Sequence, residues 1–150
     1  MKTGIIGLGF VGNAIKQSFN IFNIQTITFD KYKKIGNFNQ CLETDLLFLA
    51  LPTQFNENIQ EFDKSEIIET CTLLQNNNYK GLVILKSTVE PETTIKLFNQ
   101  FKNLKILHNP EFLTARTAVH DFHNQKHIII GKGPNCNNND VQLLHDFFKT

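Results

Sequence analysis

Short apolar runs alternate along this chain with helix-length amphipathic segments, a pattern that predicts a parallel sheet covered by helices on both faces. Strands are expected near Thr3–Gly7, Gln25–Phe29, Leu46–Leu51, Leu82–Lys86, Lys105–Leu107 and His127–Ile130. Helices fit Val11–Asn20, Lys64–Gln75, Glu92–Phe101 and Val141–Phe148, with Asp63 or Ser65 able to cap the second and Pro91 suited to the first turn of the third. The Asn-rich stretches Asn76–Asn78 and Asn135–Asn139 fall between elements, where side-chain amides close turns. The reading is an α/β fold with a doubly wound, mainly parallel six-stranded sheet, and the expected strand order is 3-2-1-4-5-6.

Composition narrows the partners. The 150 residues suit one domain with a substantial core, and 14 Phe with no Trp make that core one of Phe, Ile and Leu. A formal net charge of +1 and a pI near 7.7 leave no broad field to attract nucleic acid or an anionic membrane. Arg116 is the one arginine, hence the one side chain able to clamp a carboxylate or phosphate through two parallel bonds. Cys41, Cys71 and Cys136 are odd in number and far apart, so neither a disulfide framework nor a metal site is expected. No stretch approaches the ~18 apolar residues of a membrane span, and Thr3-Gly4-Ile5-Ile6-Gly7 begins at once without a signal-peptide pattern. These features point to a reducing, cytoplasmic setting.

Chemistry first shows at Gly7-Leu8-Gly9-Phe10-Val11-Gly12, between the first strand and the first helix. In such a motif Gly7 makes the tight turn, Gly9 lets a pyrophosphate reach the backbone, and Gly12 lets the helix pack on the strand. The helix N-terminus then offers free N–H groups and positive dipole to the phosphates around Phe10 and Val11. Asp30 ends the second strand 18 residues after Gly12, where a carboxylate can accept from adenosine ribose hydroxyls. Its charge repels a 2′-phosphate, so the cofactor of this Rossmann-type domain is expected to be NAD. The bland alternative is a tight turn followed by a solvated strand end. Lys31, Lys33 and Lys34 are either a solvated loop or a cluster able to accept a phosphate.

Open α/β sheets bind ligands at the carboxyl ends of their strands. Three successive ends carry polar signatures: Leu51-Pro52-Thr53, Lys86-Ser87-Thr88-Val89 and His108-Asn109-Pro110-Glu111-Phe112-Leu113. Each alone could be a turn or a cap. Together they predict one crevice in which Leu51, Pro52, Thr53, Ser87 and Thr88 meet the cofactor and Glu111 acts on substrate.

Through the glycine motif, Leu-Pro-Thr at 51–53, Ser-Thr-Val at 87–89, Asn-Pro-Glu-Phe-Leu at 109–113, then Ala118 and Asp121-Phe122, the chain resembles the UDP-glucose/GDP-mannose dehydrogenases. The resemblance implies NAD-dependent oxidation of a sugar C6 alcohol to a carboxylate through a cysteine-bound thioester. It implies that Thr88 and Glu111 orient the hydrolytic water, and that Glu111, Phe112 and Leu113 lie near a nucleotide-sugar substrate; Arg116, which departs from the family pattern, is either a direct ligand of substrate phosphate or carboxylate or a surface residue. Three departures accompany it. Ala115 and Arg116 stand where the family usually has Glu-Gly, and only Lys31 to Thr44 separate the second and third strands. None of the three cysteines lies in a context like that of the family's nucleophile.

The expectation is therefore one NAD-binding domain over residues 1–150, incomplete as a catalyst, whose substrate and dimerisation domain is not among these residues. A homodimer or a second domain would complete it. The chain stops at Thr150 directly after an apolar helix pattern, an abrupt end for a whole enzyme. Alternatives are another Rossmann dehydrogenase, of the 3-hydroxyacid or 6-phosphogluconate type, and a non-catalytic NAD-binding module.

Overall fold

The computed structural model describes residues 1–58 and 60–149. Its elements run β1 (Thr3–Ile6), α1 (Phe10–Ile21), β2 (Thr26–Phe29), α2 (Phe38–Cys41), β3 (Leu46–Leu49), β4 (Phe55–Asn56), β5 (Glu61–Phe62), α3 (Ser65–Asn76), β6 (Leu82–Leu85), α4 (Thr93–Gln100), β7 (Lys105–His108), α5 (Ala118–His123), β8 (Gly131–Lys132) and α6 (Asn138–Phe147). A six-stranded sheet has the order β2-β1-β3-β6-β7-β8, parallel except for β8, which pairs antiparallel with β7. Beside it stands the short hairpin β4–β5.

This order corrects the expected 3-2-1-4-5-6. The third strand pairs with β1, not with the outer edge of β2. Every residue of β3 is buried, as a continuous apolar run requires of a strand covered on both faces, whereas β2 is half-buried throughout and suits an edge. The segment between them holds only α2, whose Cys41 packs under the sheet and turns the chain back beside β1. The sixth strand is also corrected: it is the two-residue β8, immediately after the expected 127–130.

Period-two alternation of apolar strand residues divides the core in two. Ile5, Phe48, Ile84 and Leu107 face α1, α5 and α6, while Ile6, Leu47, Leu49, Val83, Leu85 and Ile106 face α2, α3 and α4. The first half is aromatic: Phe19 of α1 stands edge-on to Phe48 at 5.4 Å and to Phe147 at 5.2 Å. The α1 crossover runs from β1 to β2 and the α3 crossover from β3 to β6, away from each other and on opposite faces. Strand order therefore reverses between β1 and β3, where a doubly wound sheet leaves its ligand crevice. Asp63 accepts from the Ser65 N–H at 2.9 Å, but the N-cap position of α3 falls on Lys64, which makes no side-chain cap bond. Pro91 stands just before α4 and outside its first turn, because Glu92 adopts a left-handed conformation (φ 69°) there.

Candidate functional site

The three glycines of the first turn differ in what surrounds them. Gly7 has φ +89°, and a Cβ there would lie 2.4 Å from the Ala50 carbonyl oxygen of the neighbouring strand end. A Cβ on Gly12 would lie 1.9 Å from the Gly7 carbonyl oxygen, so α1 can sit this close to its strand only without a side chain there. On Gly9 a Cβ would meet nothing within 4 Å. The two flanking glycines are demanded by packing. Gly9 leaves open backbone at the start of α1, which has no side-chain cap and no acidic residue in its first turn. A helix start of that kind is chemically suited to a pyrophosphate.

Asp30 ties the end of β2 to this turn. One carboxylate oxygen accepts from the Leu8 N–H at 2.7 Å, and the other from the N–H groups of Tyr32 at 3.0 Å and Lys33 at 2.8 Å. Burial opposes ionisation, but the three backbone donors outweigh it and hold the carboxyl below its ordinary range. Lys33 Nζ donates to the Leu8 carbonyl oxygen. Asp30 is therefore built into the loop and remains beside the crevice.

The strand ends converge as their spacing predicts. A crevice of about 900 Å³ is lined by Gly7, Gly9, Phe10, Val11, Asp30, Leu51, Pro52, Thr53, Ser87, Thr88 and Glu111, with Lys31, Tyr32, Lys33, Glu66 and Glu69 at one end. Ser87 is spent on structure: its hydroxyl donates to the Leu51 carbonyl at 2.7 Å and accepts from the Leu51 N–H at 3.0 Å. Thr53 donates to the Thr88 carbonyl at 2.7 Å. The exposed Thr88 hydroxyl forms no hydrogen bond among the described residues.

Sequence reasoning gave Lys86 no role, yet it anchors this wall. Its side chain is 1% exposed and pairs with Glu111 Oε1, whose side chain is 7% exposed. Nζ also donates to Asn109 Oδ1 at 2.5 Å and lies 5.5 Å from the Phe122 ring centroid. Asn109 in turn donates to the Ile129 carbonyl at 2.7 Å. Burial pushes the Lys86 ammonium well below the usual lysine range, and the Glu111 carboxylate against it works the other way. The signal was available: a lysine at the end of four buried apolar residues needs a partner.

The sequence profile of the UDP-glucose/GDP-mannose dehydrogenase family, NAD binding domain, matches residues 37–149. The chain belongs to this family. Its curated relatives include the UDP-glucose 6-dehydrogenase of Campylobacter jejuni, 29% identical over 87% of this chain and 42% of that protein. Another, the UDP-glucose 6-dehydrogenase AglM of Haloferax volcanii, is 31% identical over 68% of this chain and 27% of its own length. The chain thus spans less than half of either relative. Among solved structures, a GDP-mannose dehydrogenase ternary complex from Pseudomonas aeruginosa superposes with a TM-score of 0.82 at 18% identity, covering 99% of this chain and 44% of that one. That likeness supports the Rossmann-type fold. Membership supplies NAD as the cofactor, which the open Gly9 backbone and bare helix start fit, and sets aside a 3-hydroxyacid or 6-phosphogluconate assignment.

Not every expected residue reaches the crevice. Leu113 packs against the core on the α1 side, and Phe112 is 74% exposed. Arg116 is exposed in the turn before α5 and is absent from the crevice lining. All three cysteines are free and buried. No helix among the described residues is long and apolar enough to cross a membrane, and no group of metal-ligating side chains occurs among them.

Proposed function

We propose that residues 1–150 form the NAD-binding domain of a nucleotide-sugar 6-dehydrogenase of the UDP-glucose type, acting with a substrate and dimerisation domain supplied elsewhere, in the cytoplasm. The observation that carries this reading is the convergence of the glycine turn, Asp30 and three strand ends on one crevice in a chain of this family. NAD, when bound, supplies the hydride acceptor for alcohol oxidation. Gly9, Phe10 and Val11 hold its pyrophosphate and Asp30 its adenosine ribose; Leu51, Pro52, Thr53 and Ser87 shape the wall beside it.

Thr88 and Glu111 are the polar groups this wall turns toward substrate. Thr88 carries a hydroxyl free to orient a water, and Glu111 is a carboxylate whose position Lys86 fixes and which can hold or accept a proton. Phe112, Leu113 and Arg116 belong to the same substrate-side segment, where they would meet the nucleotide sugar only with a further domain or subunit in place. The free cysteines fit a reducing compartment.

Titration calorimetry with NAD and NADP tests the cofactor assignment. Asp30→Ala should weaken NAD more than NADP, because it removes a ribose acceptor together with a charge that repels the 2′-phosphate. Equal weakening of both cofactors with an unchanged Tm would remove Asp30 from the ribose site. A second reading, a non-catalytic NAD-binding module, draws on the burial of all three thiols and differs in predicting no substrate turnover in any assembly.

A further inference from the structure

Three lysines follow Asp30, and a cluster of that kind beside the adenosine ribose would ordinarily welcome a 2′-phosphate. The structure shows where two of those charges are spent. Lys31 Nζ bridges Glu66 Oε2 at 2.8 Å and Glu69 Oε2 at 2.7 Å, both from the first turns of α3. Tyr32 donates its hydroxyl to the other Glu66 oxygen at 2.5 Å. Lys33 turns inward to the Leu8 carbonyl of the glycine turn. Glu66 and Glu69 sit three residues apart, hence on one helix face, and both line the same crevice as Asp30 and Lys31. At this end two carboxylates therefore meet one ammonium.

We propose that Glu66 and Glu69 are specificity-determining residues that hold Lys31 away from the ribose and make this end of the crevice repel a 2′-phosphate. The inference rests on the NAD-binding reading above and extends it: discrimination against NADP is shared between the β2 end and α3. A 2′-phosphate carries nearly two negative charges at neutral pH, so it faces both carboxylates at once, whereas the free hydroxyls of NAD meet acceptors. Neutralising the pair frees Lys31 to join Lys34, and that exchange converts a repulsive rim into an attractive one.

The test is calorimetric affinity for NAD and NADP in the wild-type chain, in Glu66→Gln/Glu69→Gln, and in the same double variant with Lys31→Ala. The NADP-to-NAD affinity ratio should rise on the order of tenfold in the double variant, shrink toward the wild-type ratio as salt is raised, and fall back when Lys31 is also removed. Retained NAD binding with an unchanged ratio overturns the clamp alone. No NAD binding by the wild-type chain overturns the cofactor reading and the clamp with it. Glu69→Gln by itself, at a position whose side chain is 53% exposed, gives the same readout at smaller amplitude if the double variant unfolds.

Discussion

At the scale of single residues, the glycine turn separates stability from binding. Gly12→Ala puts a methyl group against a backbone oxygen that cannot move without opening the turn, and should cost at least about 3 kcal/mol, seen as a lowered Tm. Gly9→Ala meets no neighbour, so Tm should hold while NAD affinity falls by about tenfold or more, equivalent to ~1.4 kcal/mol. A Gly9 variant that binds NAD normally would place the pyrophosphate elsewhere. Glu111 is the second such case. Glu111→Gln leaves the buried Lys86 without its counter-charge, and breaking a buried pair typically costs about 3–5 kcal/mol. NAD affinity should change little, since the role proposed for Glu111 is toward substrate. The pH dependence follows from the lowered Lys86 value. Between that folded value and the ordinary 10.5 of the unfolded chain, the unfolded state binds the extra proton, so stability contributed by this group rises with pH. The deficit of the variant should be largest below about pH 7, where Lys86 carries its charge, and narrow as pH rises above that value. Denaturant melts across that range measure it, and a deficit that does not change with pH would mean Lys86 keeps its proton.

At the scale of elements, β1, β2, β3, β6 and β7 and the four longer helices were legible, because their apolar spacing is also the spacing that buries them. Elements of a few residues were not. The single turn of α2, the six residues of α5 and the β4–β5 hairpin are too short for a period to show, and they are fixed by contacts distant in sequence. Phe55 and Phe62 stand 5.3 Å apart across the hairpin, and Glu90 accepts from the Phe62 N–H at 2.8 Å and from Lys64 Nζ at 2.9 Å. Strand order failed for a related reason: the motif suggests the commoner arrangement, while the unbroken burial of Leu46–Leu49 decides for an interior place. The strand-end residues were legible because each follows an obvious strand, whereas the Lys86–Glu111 pair depended on knowing that β6 and β7 are neighbours. The hairpin anchor can be tested at this scale. Glu90→Ala should speed hydrogen exchange at the Phe62 amide and its neighbours while leaving β1 and β3 protected. Unchanged exchange there would reduce Glu90 to a surface acid.

At the scale of the whole molecule, the sheet brings a crevice and an acidic group to one rim and, among the described residues, no thiol. A thiol attacks as its thiolate and needs a positive or helix-N-terminal setting to ionise near neutrality. Burial does the opposite here, pushing the thiol of Cys41 up to about 11, Cys71 to about 12 and Cys136 to about 11. Cys41 and Cys71 lie in the core beneath α2 and α3, and Cys136 donates its S–H to the Ile106 carbonyl at 3.4 Å. None lines the crevice that holds Thr88 and Glu111. The purified 150-residue chain should therefore bind NAD yet produce no NADH from UDP-glucose, and its thiols should react with an aromatic disulfide only on unfolding. Added to the substrate domain of a relative, the same chain should restore turnover under the proposed division of labour, and its Glu111→Gln form should then turn over ~10²–10⁴-fold more slowly. Steady NADH formation by the chain alone would overturn the division, and loss of that activity in Cys136→Ala, the least deeply buried of the three at 8% exposure, would locate the nucleophile in the loop before α6.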